Sequence, residues 1–317
     1  MLVNGNVYAG FGSFCDLNAN LSRGWVLGWN AATLTPLASN QLVDTQVGAT
    51  NTVFLSSIWM SGYALAADDS GNVMFVTGNS ASGSYDGVTN LQESVVKLSP
   101  DLGSVVDLFT PSDQASLDTT DQDFGSGGVL VLPDQQGSIP HLAVAAGKEG
   151  TMFLMNEDNL GGYSSVKNNV LGSYYIRHCW CGPSYFVDSD KVPRVVTSGG
   201  PVVMLWKLST NPSPALTNAG ASTAILTGQD PGFFTVISSN GTATAVIWAL
   251  SKDHNNSIYL YAYDPDTQTK GIIKQLFQGV AGTWPIPAAN ANLVPVVANG
   301  KVYVASYQQL TIFGLAH

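Results

Sequence analysis

The sequence predicts an all-β protein, a β-propeller made of four-stranded antiparallel blades. A short apolar strand that ends in a turn returns at intervals of about 50 to 70 residues, which is the spacing of propeller blades with several strands each. Turn pairs of the Asn-Gly and Ser-Gly type interrupt the apolar runs, and no window of helical length has a clean i, i+3, i+4, i+7 apolar stripe. The recurring strand ends, in chain order, at Trp29, Leu98, Met155, Leu208, Tyr263 and Phe313.

These copies divide the 317 residues into about five blades and a final partial one within a single domain, 1–317. The predicted blade boundaries are 1–43, 57–111, 123–162, 170–222, 233–277 and 285–317. A closed ring removes exposed sheet edges, and its last blade is normally completed by a strand from the opposite terminus. An incomplete ring of a seven- or eight-bladed parent, truncated at its N-terminus, is therefore one interpretation.

Individual hairpins follow from their turn residues, because glycine adopts the positive φ that such turns require. Long loop-like stretches between the hairpins, 111–126 among them, are expected to gather on one face, where propeller ligands usually lie. The predicted hairpin turns, in chain order, are Asn4-Gly5, Ser70-Gly71, Pro133–Gly137 and Asn299-Gly300.

Composition excludes some partners. Charged residues make up 11% of the chain, and the net charge is −10. Nucleic-acid binding needs clustered Lys and Arg, and the 12 basic residues are spread along the whole chain. No apolar run approaches the roughly 20 residues that span a bilayer. The neutral polar surface predicts a secreted or periplasmic parent protein, although residues 1–8 lack the features of a signal peptide.

The three cysteines, Cys15, Cys179 and Cys181, cannot all pair within one chain. A Cys179–Cys181 bridge would close a very small, strained ring. Cys15 paired with either of the other two, or a cysteine elsewhere in a longer protein, are the alternatives.

The repeat resembles that of the pyrroloquinoline-quinone-type propellers, also called quinoprotein-like propellers. The resemblance covers nearly the whole chain, and it extends to a bacterial branch of secreted proteins. It implies the propeller fold, and its motifs are specific for structure more than for activity. The segments that carry it are Val3–Leu37, Trp59–Gly62, Asp68–Asn72, Val76–Asn79, Ser94–Ser99, Asp123–Gly128, Leu260–Thr267 and Val297–Ser306.

The resemblance also implies an alternative function. Quinone dehydrogenases of this superfamily hold their cofactor, PQQ, with a vicinal Cys-Cys ring, a Trp floor and a calcium ion bound by Glu, Asn and Asp. This chain instead separates Cys179 from Cys181 by Trp180, and its calcium ligands and catalytic base are not identified by the pattern. A quinone- and calcium-dependent oxidoreductase is kept as the second hypothesis.

Two clusters are candidate metal sites. Asp118, Asp121 and Asp123 supply the carboxylate oxygens that calcium prefers, although their spacing is not that of an EF-hand. His178, Cys179 and Cys181 combine imidazole and thiolates, which suit zinc or copper, and would centre a metal-dependent enzyme. Ordinary alternatives are a solvated loop for the aspartates and a disulfide, or buried thiols beside Trp180, for the cysteines. The sequence has neither a Gly-x-Ser-x-Gly elbow nor a P-loop.

Aromatic residues in or beside long loops form the third candidate set. Such rings with Asn and Gln neighbours suit carbohydrate or peptide stacking, and packing between blades is the alternative for each. The first functional hypothesis is a secreted, non-catalytic binding or scaffold module that recognises a carbohydrate, peptide or protein partner through its long-loop face. The candidate ligand-binding residues are Tyr85, Tyr174, Tyr175, Trp180 and Trp284.

Overall fold

Short β-strands joined by tight turns form almost all of the regular structure in the computed structural model. The residues that it describes are 1–12, 24–37, 56–80, 82–88, 90–178, 180, 182–225, 232–285 and 292–314. The strands are β1 Leu2–Val3, β2 Asn6–Phe11, β3 Trp25–Asn30, β4 Ala66–Ala67, β5 Val73–Val76, β6 Val95–Leu98, β7 Val105–Thr110, β8 Val129–Val131, β9 Leu142–Ala146, β10 Thr151–Asn156, β11 Gly162–Tyr163, β12 Gly172–Tyr175, β13 Ser184–Val187, β14 Pro193–Gly199, β15 Val202–Ser209, β16 Ala215–Ala221, β17 Phe234–Asn240, β18 Ala243–Lys252, β19 Ser257–Thr269, β20 Ile272–Thr283, β21 Val296–Ala298, β22 Lys301–Ser306 and β23 Gln309–Gly314.

The strands form a series of antiparallel meanders, which we number as blades 1 to 6. Blade 1 is β1-β2-β3, blade 2 is β4 to β7 with β11, blade 3 is β8-β9-β10-β12, and blade 6 is β21-β22-β23. Blades 4 (β13 to β16) and 5 (β17 to β20) belong to one sheet, because their last strands meet in a parallel pair at Ala221 and Ile272. These sheets confirm the predicted all-β class of antiparallel blades.

The hairpin turns have the backbone geometry that their residues predict. Val3 pairs with Asn6 across Asn4-Gly5, and Ala298 pairs with Lys301 across Asn299-Gly300. All four turn residues have positive φ, with Gly5 at 75° and Gly300 at 69°. Two-residue turns of this kind match the right-handed twist of the strands that they join.

Two short strands at the outer rim, β11 and β12, pair with other blades than those that the predicted boundaries assign them to. Gly172–Tyr175, which the boundary at 170 assigns to the fourth blade, pairs with β10 and completes the third. Gly162–Tyr163, assigned to the third blade, pairs in parallel with β7 of the second. Sequence pattern does not distinguish these two short rim strands from strands that begin a new blade, because each has an edge position with few buried residues.

The core lies between successive blades, where side chains of facing sheets interdigitate. One buried cluster joins blades 1 to 3 and includes Tyr8, Phe75, Phe109 and Phe153. Further clusters lie between blades 3 and 4, 4 and 5, and 5 and 6. Each blade thus buries both of its faces only where it has a neighbour on each side.

One short helix, α1, spans Gln114–Thr120 between blades 2 and 3, in a stretch that the sequence predicts as a loop. It buries Gln114, Leu117 and Asp118 and ends at Asp121, which adopts a left-handed conformation with φ of 56°. Seven residues are too few to show a periodic apolar stripe, which is why the pattern missed it. Along the described ranges, no helix is both long enough and apolar enough to cross a membrane.

Candidate functional site

Tyr63 lies at the centre of the blades. It comes just before β4 in blade 2, and its hydroxyl accepts a hydrogen bond of 3.0 Å from the backbone N–H of Thr235 in blade 5. Its ring stacks on Phe234 at 6.3 Å between centroids, and burial raises its pKa to about 12. A Cβ on Gly182, just before blade 4, would lie 2.7 Å from Cγ of Tyr63. The phenol therefore fills the space where the first strands of blades 2, 4 and 5 converge.

A polar and aromatic site lies on the face where the first strands of blades 2, 3 and 4 begin. Its side chains come from the segments before β4, β8 and β13, from the loop after β5 and from the β9–β10 turn. We call it the axial site and define it as Trp59, Asn79, Asp121, Asp123, Lys148 and Trp180.

Lys148 is the positive charge of the axial site. Its Nζ lies 2.9 Å from Oδ2 of Asp121 and 3.1 Å from Oδ2 of Asp123. Burial opposes the charged form, but the two carboxylates, Asp123 first, raise the pKa of Lys148 above its usual value. The same ammonium lies 5.1 Å from the ring centroid of Trp180, within cation–π range. Lys148 is therefore held as a cation by charges on two sides and an indole on a third.

Asn79 completes the hydrogen bonding of the two aspartates. Its backbone N–H donates to Oδ1 of Asp123 at 3.1 Å, and its Nδ2 donates to Oδ1 of Asp121 at 3.0 Å. The loop approaches closely because Gly125 faces it: a Cβ on Gly125 would lie 2.4 Å from the backbone nitrogen of Gly78. Glycine at this position allows the backbones of blades 2 and 3 to meet beneath the site.

Trp59 and Trp180 form an aromatic corner beside these polar groups. Their ring centroids are 5.8 Å apart and their planes are nearly perpendicular, at 89°. Both side chains are half-buried. The axial site therefore presents indole surface directly next to two carboxylates, an amide and an ammonium group.

Two further carboxyl groups lie beneath the axial site. Glu93 is fully buried, and its Oε2 accepts a hydrogen bond from the backbone N–H of Phe124, whereas its Oε1 has no partner in the described structure. Burial, and then the nearby Asp123, raise the pKa of Glu93 well above its usual value. Asp118 accepts from the backbone N–H of Ser80 at 3.0 Å, and burial raises its pKa to about 6.

The predicted metal residues have these positions. Asp121 and Asp123 belong to the axial site, and Asp118 lies below it. Among the described residues, no group of three or more His, Cys, Asp or Glu is arranged to hold a metal ion, and the cation between Asp121 and Asp123 is Lys148. His178 is exposed, and its Nδ1 donates to the carbonyl of Lys148 at 3.0 Å.

The three cysteines, Cys15, Cys179 and Cys181, lie outside the described residues. Their pairing and the proposed thiolate site therefore stay predictions. Trp180 between them is described, and it belongs to the axial site.

Two of the candidate aromatic residues lie at the rim of the blades. Tyr85 shares a hydrogen bond of 2.8 Å with Oγ1 of Thr110, and its ring contacts Tyr163 at 4.8 Å between centroids. Tyr175 is 69% exposed on β12. Within the described residues, Tyr85 has its ring contact with Tyr163, whereas the ring contact of Trp180 is with Trp59. Tyr175 lies opposite Thr151 on the outermost strand of blade 3.

The other two aromatic candidates pack between blades. Tyr174 contacts Trp206, and its hydroxyl accepts from the backbone N–H of Leu216 at 2.9 Å, which joins blades 3 and 4. Trp284 contacts Tyr307 edge-on at 6.5 Å between centroids. Packing of this kind is the alternative that the sequence left open for each aromatic residue.

Sequence reasoning did not assign Trp59, Asn79, Lys148 or Glu93 to a site. Asn79 and Lys148 each follow a glycine in a loop that ends or reverses a buried strand. A polar residue after such a glycine in two neighbouring repeats was the available signal, because equivalent loops of a propeller meet at the same face.

Comparison with solved structures gives the fold. No protein-family model matches the sequence, and no curated protein matches it. The quinohemoprotein alcohol dehydrogenase of Comamonas testosteroni has 13% identity and a TM-score of 0.55, over 96% of this chain and 54% of that enzyme. Sqt1 of Saccharomyces cerevisiae has 12% identity and a TM-score of 0.51, over 95% of this chain and 66% of Sqt1.

The chain has the β-propeller fold. It spans about half the length of the Comamonas enzyme and about two thirds of the yeast protein. Identities this low carry the fold alone, and propellers host unrelated functions, so the function has to be argued from the axial site.

Proposed function

We propose that this propeller is a non-catalytic binding module that holds a carbohydrate at the axial site. The observation that carries the proposal is the pair of half-buried indoles, Trp59 and Trp180, beside the Lys148, Asp121 and Asp123 network. Sugars have apolar ring faces and many hydroxyl groups, so they are recognised by aromatic surface next to fixed donors and acceptors.

The polar groups of the axial site are pre-organised. Asp123 is held by Lys148 and by the backbone of Asn79, and Asp121, whose side chain is 74% exposed, is held by the same two residues. A site whose side chains are already fixed loses little conformational entropy when a ligand binds. The exposed oxygens of Asp121 remain available to accept bonds from ligand hydroxyls.

The electrostatics favour binding over catalysis. A general acid at neutral pH needs a raised pKa and contact with the substrate. Glu93 and Asp118 have raised pKa values, but both side chains are buried below the axial site. Asp121 is exposed to solvent and Asp123 lies within the axial site, but each carboxylate forms an ion pair with Lys148. The proposal includes the secreted or periplasmic location that the low charge content suggests.

The test is a glycan-array screen of the full chain, followed by calorimetry with the best saccharide for wild type and for Trp180→Ala. We expect Trp180→Ala to weaken binding about fivefold, because an aromatic contact contributes on the order of 1 kcal/mol. Tyr175→Ala, which removes an exposed ring at the rim, is the matched control and should bind like wild type.

Equal affinities of Trp180→Ala and wild type, or an array on which nothing binds, would remove the proposal. A further arm adds PQQ with calcium ions. A rise in melting temperature with these ligands that is lost in Asp123→Asn would favour the dehydrogenase hypothesis instead.

A further inference from the structure

An acidic cleft lies between blades 2 and 3 on the face opposite the axial site. Asp68 and Asp69 follow β4, Asp134 lies beyond β8, and Glu157 and Asp158 follow β10. Strands β4 and β8 begin at the axial site, so their far ends place this cleft on the other face. The cavity has a volume of about 130 Å³, which is room for roughly four water molecules.

Lys97 and Asp68 neutralise each other at the floor of the cleft. Nζ of Lys97 lies 2.7 Å from Oδ2 of Asp68, and both side chains are under 10% exposed. Asp68 also accepts hydrogen bonds from the backbone N–H and the Nδ2 of Asn72, at 2.8 and 2.7 Å. Asp68 therefore accepts from three donors, and Lys97 is its ion-pair partner.

Glu157 has no comparable ion pair, and the charge of Lys97 only partly offsets the rise in pKa that burial causes. Glu157 is 7% exposed, it lines the cavity, and within the described residues its carboxylate has neither a hydrogen bond nor an ion pair. Lys97 binds only its backbone carbonyl, at 3.2 Å. Glu157 therefore offers an acceptor at the wall of the cavity, and a donor group that enters the cleft would stabilise its charged form.

The remaining acids increase the negative potential. Asp69 and Asp134 are exposed at the mouth of the cleft. Asp158 accepts from Nδ1 of His141 at 2.8 Å, and Asp134 lies 3.7 Å from Nε2 of the same ring. The single imidazole of His141 lies next to two carboxylates, Asp134 and Asp158. The acids of the cleft therefore outnumber its basic groups, and the cleft has a net negative charge.

We propose that this cleft binds the guanidinium group of an arginine side chain on a protein or peptide partner, with Glu157 as its buried acceptor. The carboxylates are distributed along the cleft, and no three of the described ones converge on a point as metal ligands do. A planar group with five donors in a fork satisfies acceptors spread in this way, whereas a compact ion does not. The site is independent of the axial site.

The experiment is an isothermal calorimetric titration of the full chain with N-acetyl-arginine methylamide at pH 8. We expect saturable binding that Glu157→Gln weakens about tenfold or more, since a charge-assisted hydrogen bond is lost. Asp69→Asn, at the exposed mouth, should weaken binding by a smaller factor. Glu149→Gln, on the opposite face of the same blade, is the matched control and should leave binding unchanged.

The pH dependence gives a second readout. Burial raises the pKa of Glu157 to about 7, with Lys97, Asp68, His141 and Asp158 as the facing charges. The probe should therefore bind more weakly at pH 6 than at pH 8, and this difference should vanish in Glu157→Gln. Because that substitution removes a buried charge, the variant is expected to fold, and its melting temperature checks this.

Three outcomes with the arginine and lysine probes would overturn the proposal. These are the absence of saturable binding, equal affinities of wild type and Glu157→Gln, and tighter binding of N-acetyl-lysine methylamide than of the arginine probe. A calcium titration run in parallel identifies a metal site if calcium binds stoichiometrically and displaces the arginine probe, and that result would also replace the guanidinium assignment.

Discussion

The phenol of Tyr63 and the backbone N–H of Thr235 are joined by a hydrogen bond of 3.0 Å, although 172 residues separate them in the chain. Tyr63 belongs to the segment before the first strand of blade 2, and Thr235 lies in the first strand of blade 5. The bond therefore joins blade 5 to the segment that precedes the first strand of blade 2.

Tyr63→Phe should destabilise the protein by about 1 to 3 kcal/mol, because it leaves a buried N–H without its acceptor. Thr235 is 2% exposed, so water does not easily replace the phenol. The measurement is urea unfolding followed by tryptophan fluorescence. Tyr175→Phe removes a hydroxyl from an exposed ring and serves as the control. An equal midpoint for Tyr63→Phe and wild type would show that the central bond does not stabilise the ring.

Two glycines beside Tyr63 should respond differently to alanine. A Cβ on Gly182 would lie 2.7 Å from Cγ of Tyr63, whereas a Cβ on Gly128 would lie 3.4 Å from the nearest atom, Cβ of Tyr63. Gly182→Ala should therefore destabilise by about 1 to 3 kcal/mol through overpacking, and Gly128→Ala should change stability little. Melting temperatures of the two variants check this. The reverse order of stabilities would contradict the position of the ring.

The hairpins were predictable from sequence because their determinants are local. Asn4-Gly5 and Asn299-Gly300 specify a two-residue turn by residue type alone, and the structure confirms both. The recurrence of such hairpins then indicates blades, because a repeated β-unit can bury its faces only against its neighbours.

The axial site was not predictable in the same way. Lys148 meets Asp123 across 25 residues, and Asn79 meets the same carboxylate across 44 residues. Such contacts depend on how far each blade rotates about the axis and on where its loops end, and neither property has a residue pattern. The sequence therefore identifies Asp121, Asp123 and Trp180 as candidates but does not predict that Lys148 contacts all three.

The two aspartates of the axial site should differ in their dependence on Lys148. Lys148→Met should cost about 3 kcal/mol, because it leaves the buried Asp123, 6% exposed at its side chain, without a counter-charge. Asp121→Asn should cost less than about 1 kcal/mol, since Asp121 is 74% exposed and water replaces the pair. Urea unfolding of both variants compares the two costs. A larger loss in Asp121→Asn than in Lys148→Met would contradict this account.

Glu93 should make the stability fall as pH rises. Its folded pKa is raised above the usual 4.5, by burial first and then by Asp123, so the folded state retains a proton that the unfolded state releases. The stabilising contribution is complete below about pH 4.5 and is lost as the pH rises through the folded pKa. Glu93→Gln keeps an acceptor for Phe124 and removes this titration.

The expected result for Glu93→Gln is a flatter profile of unfolding free energy against pH, with the variant more stable than wild type at pH 8. Asp101→Asn, at an exposed turn of blade 2, is the control and should leave the profile of wild type intact above pH 5. Parallel profiles for Glu93→Gln and wild type would mean that Glu93 is not the buried acid inferred here.

The buried pair of Lys97 and Asp68 should show strong coupling in a double-mutant cycle. Lys97→Met alone leaves Asp68, which is 5% exposed at its side chain, without its cation, and we expect a loss of about 3 to 5 kcal/mol. The double variant Lys97→Met with Asp68→Asn should lose less than Lys97→Met alone, because no unpaired charge remains buried. Burial opposes the ionised form of Asp68, but the hydrogen bond from Lys97 keeps its pKa below the usual 3.8.

The stabilisation by the Lys97–Asp68 pair is therefore present above about pH 4 and is lost as pH falls through the folded pKa of Asp68. Wild type and Lys97→Met should converge in stability toward pH 2. Additive losses in the cycle, or a gap between the two proteins that persists at pH 2, would show that packing of the lysine stem and not the ion pair stabilises this part of the blade.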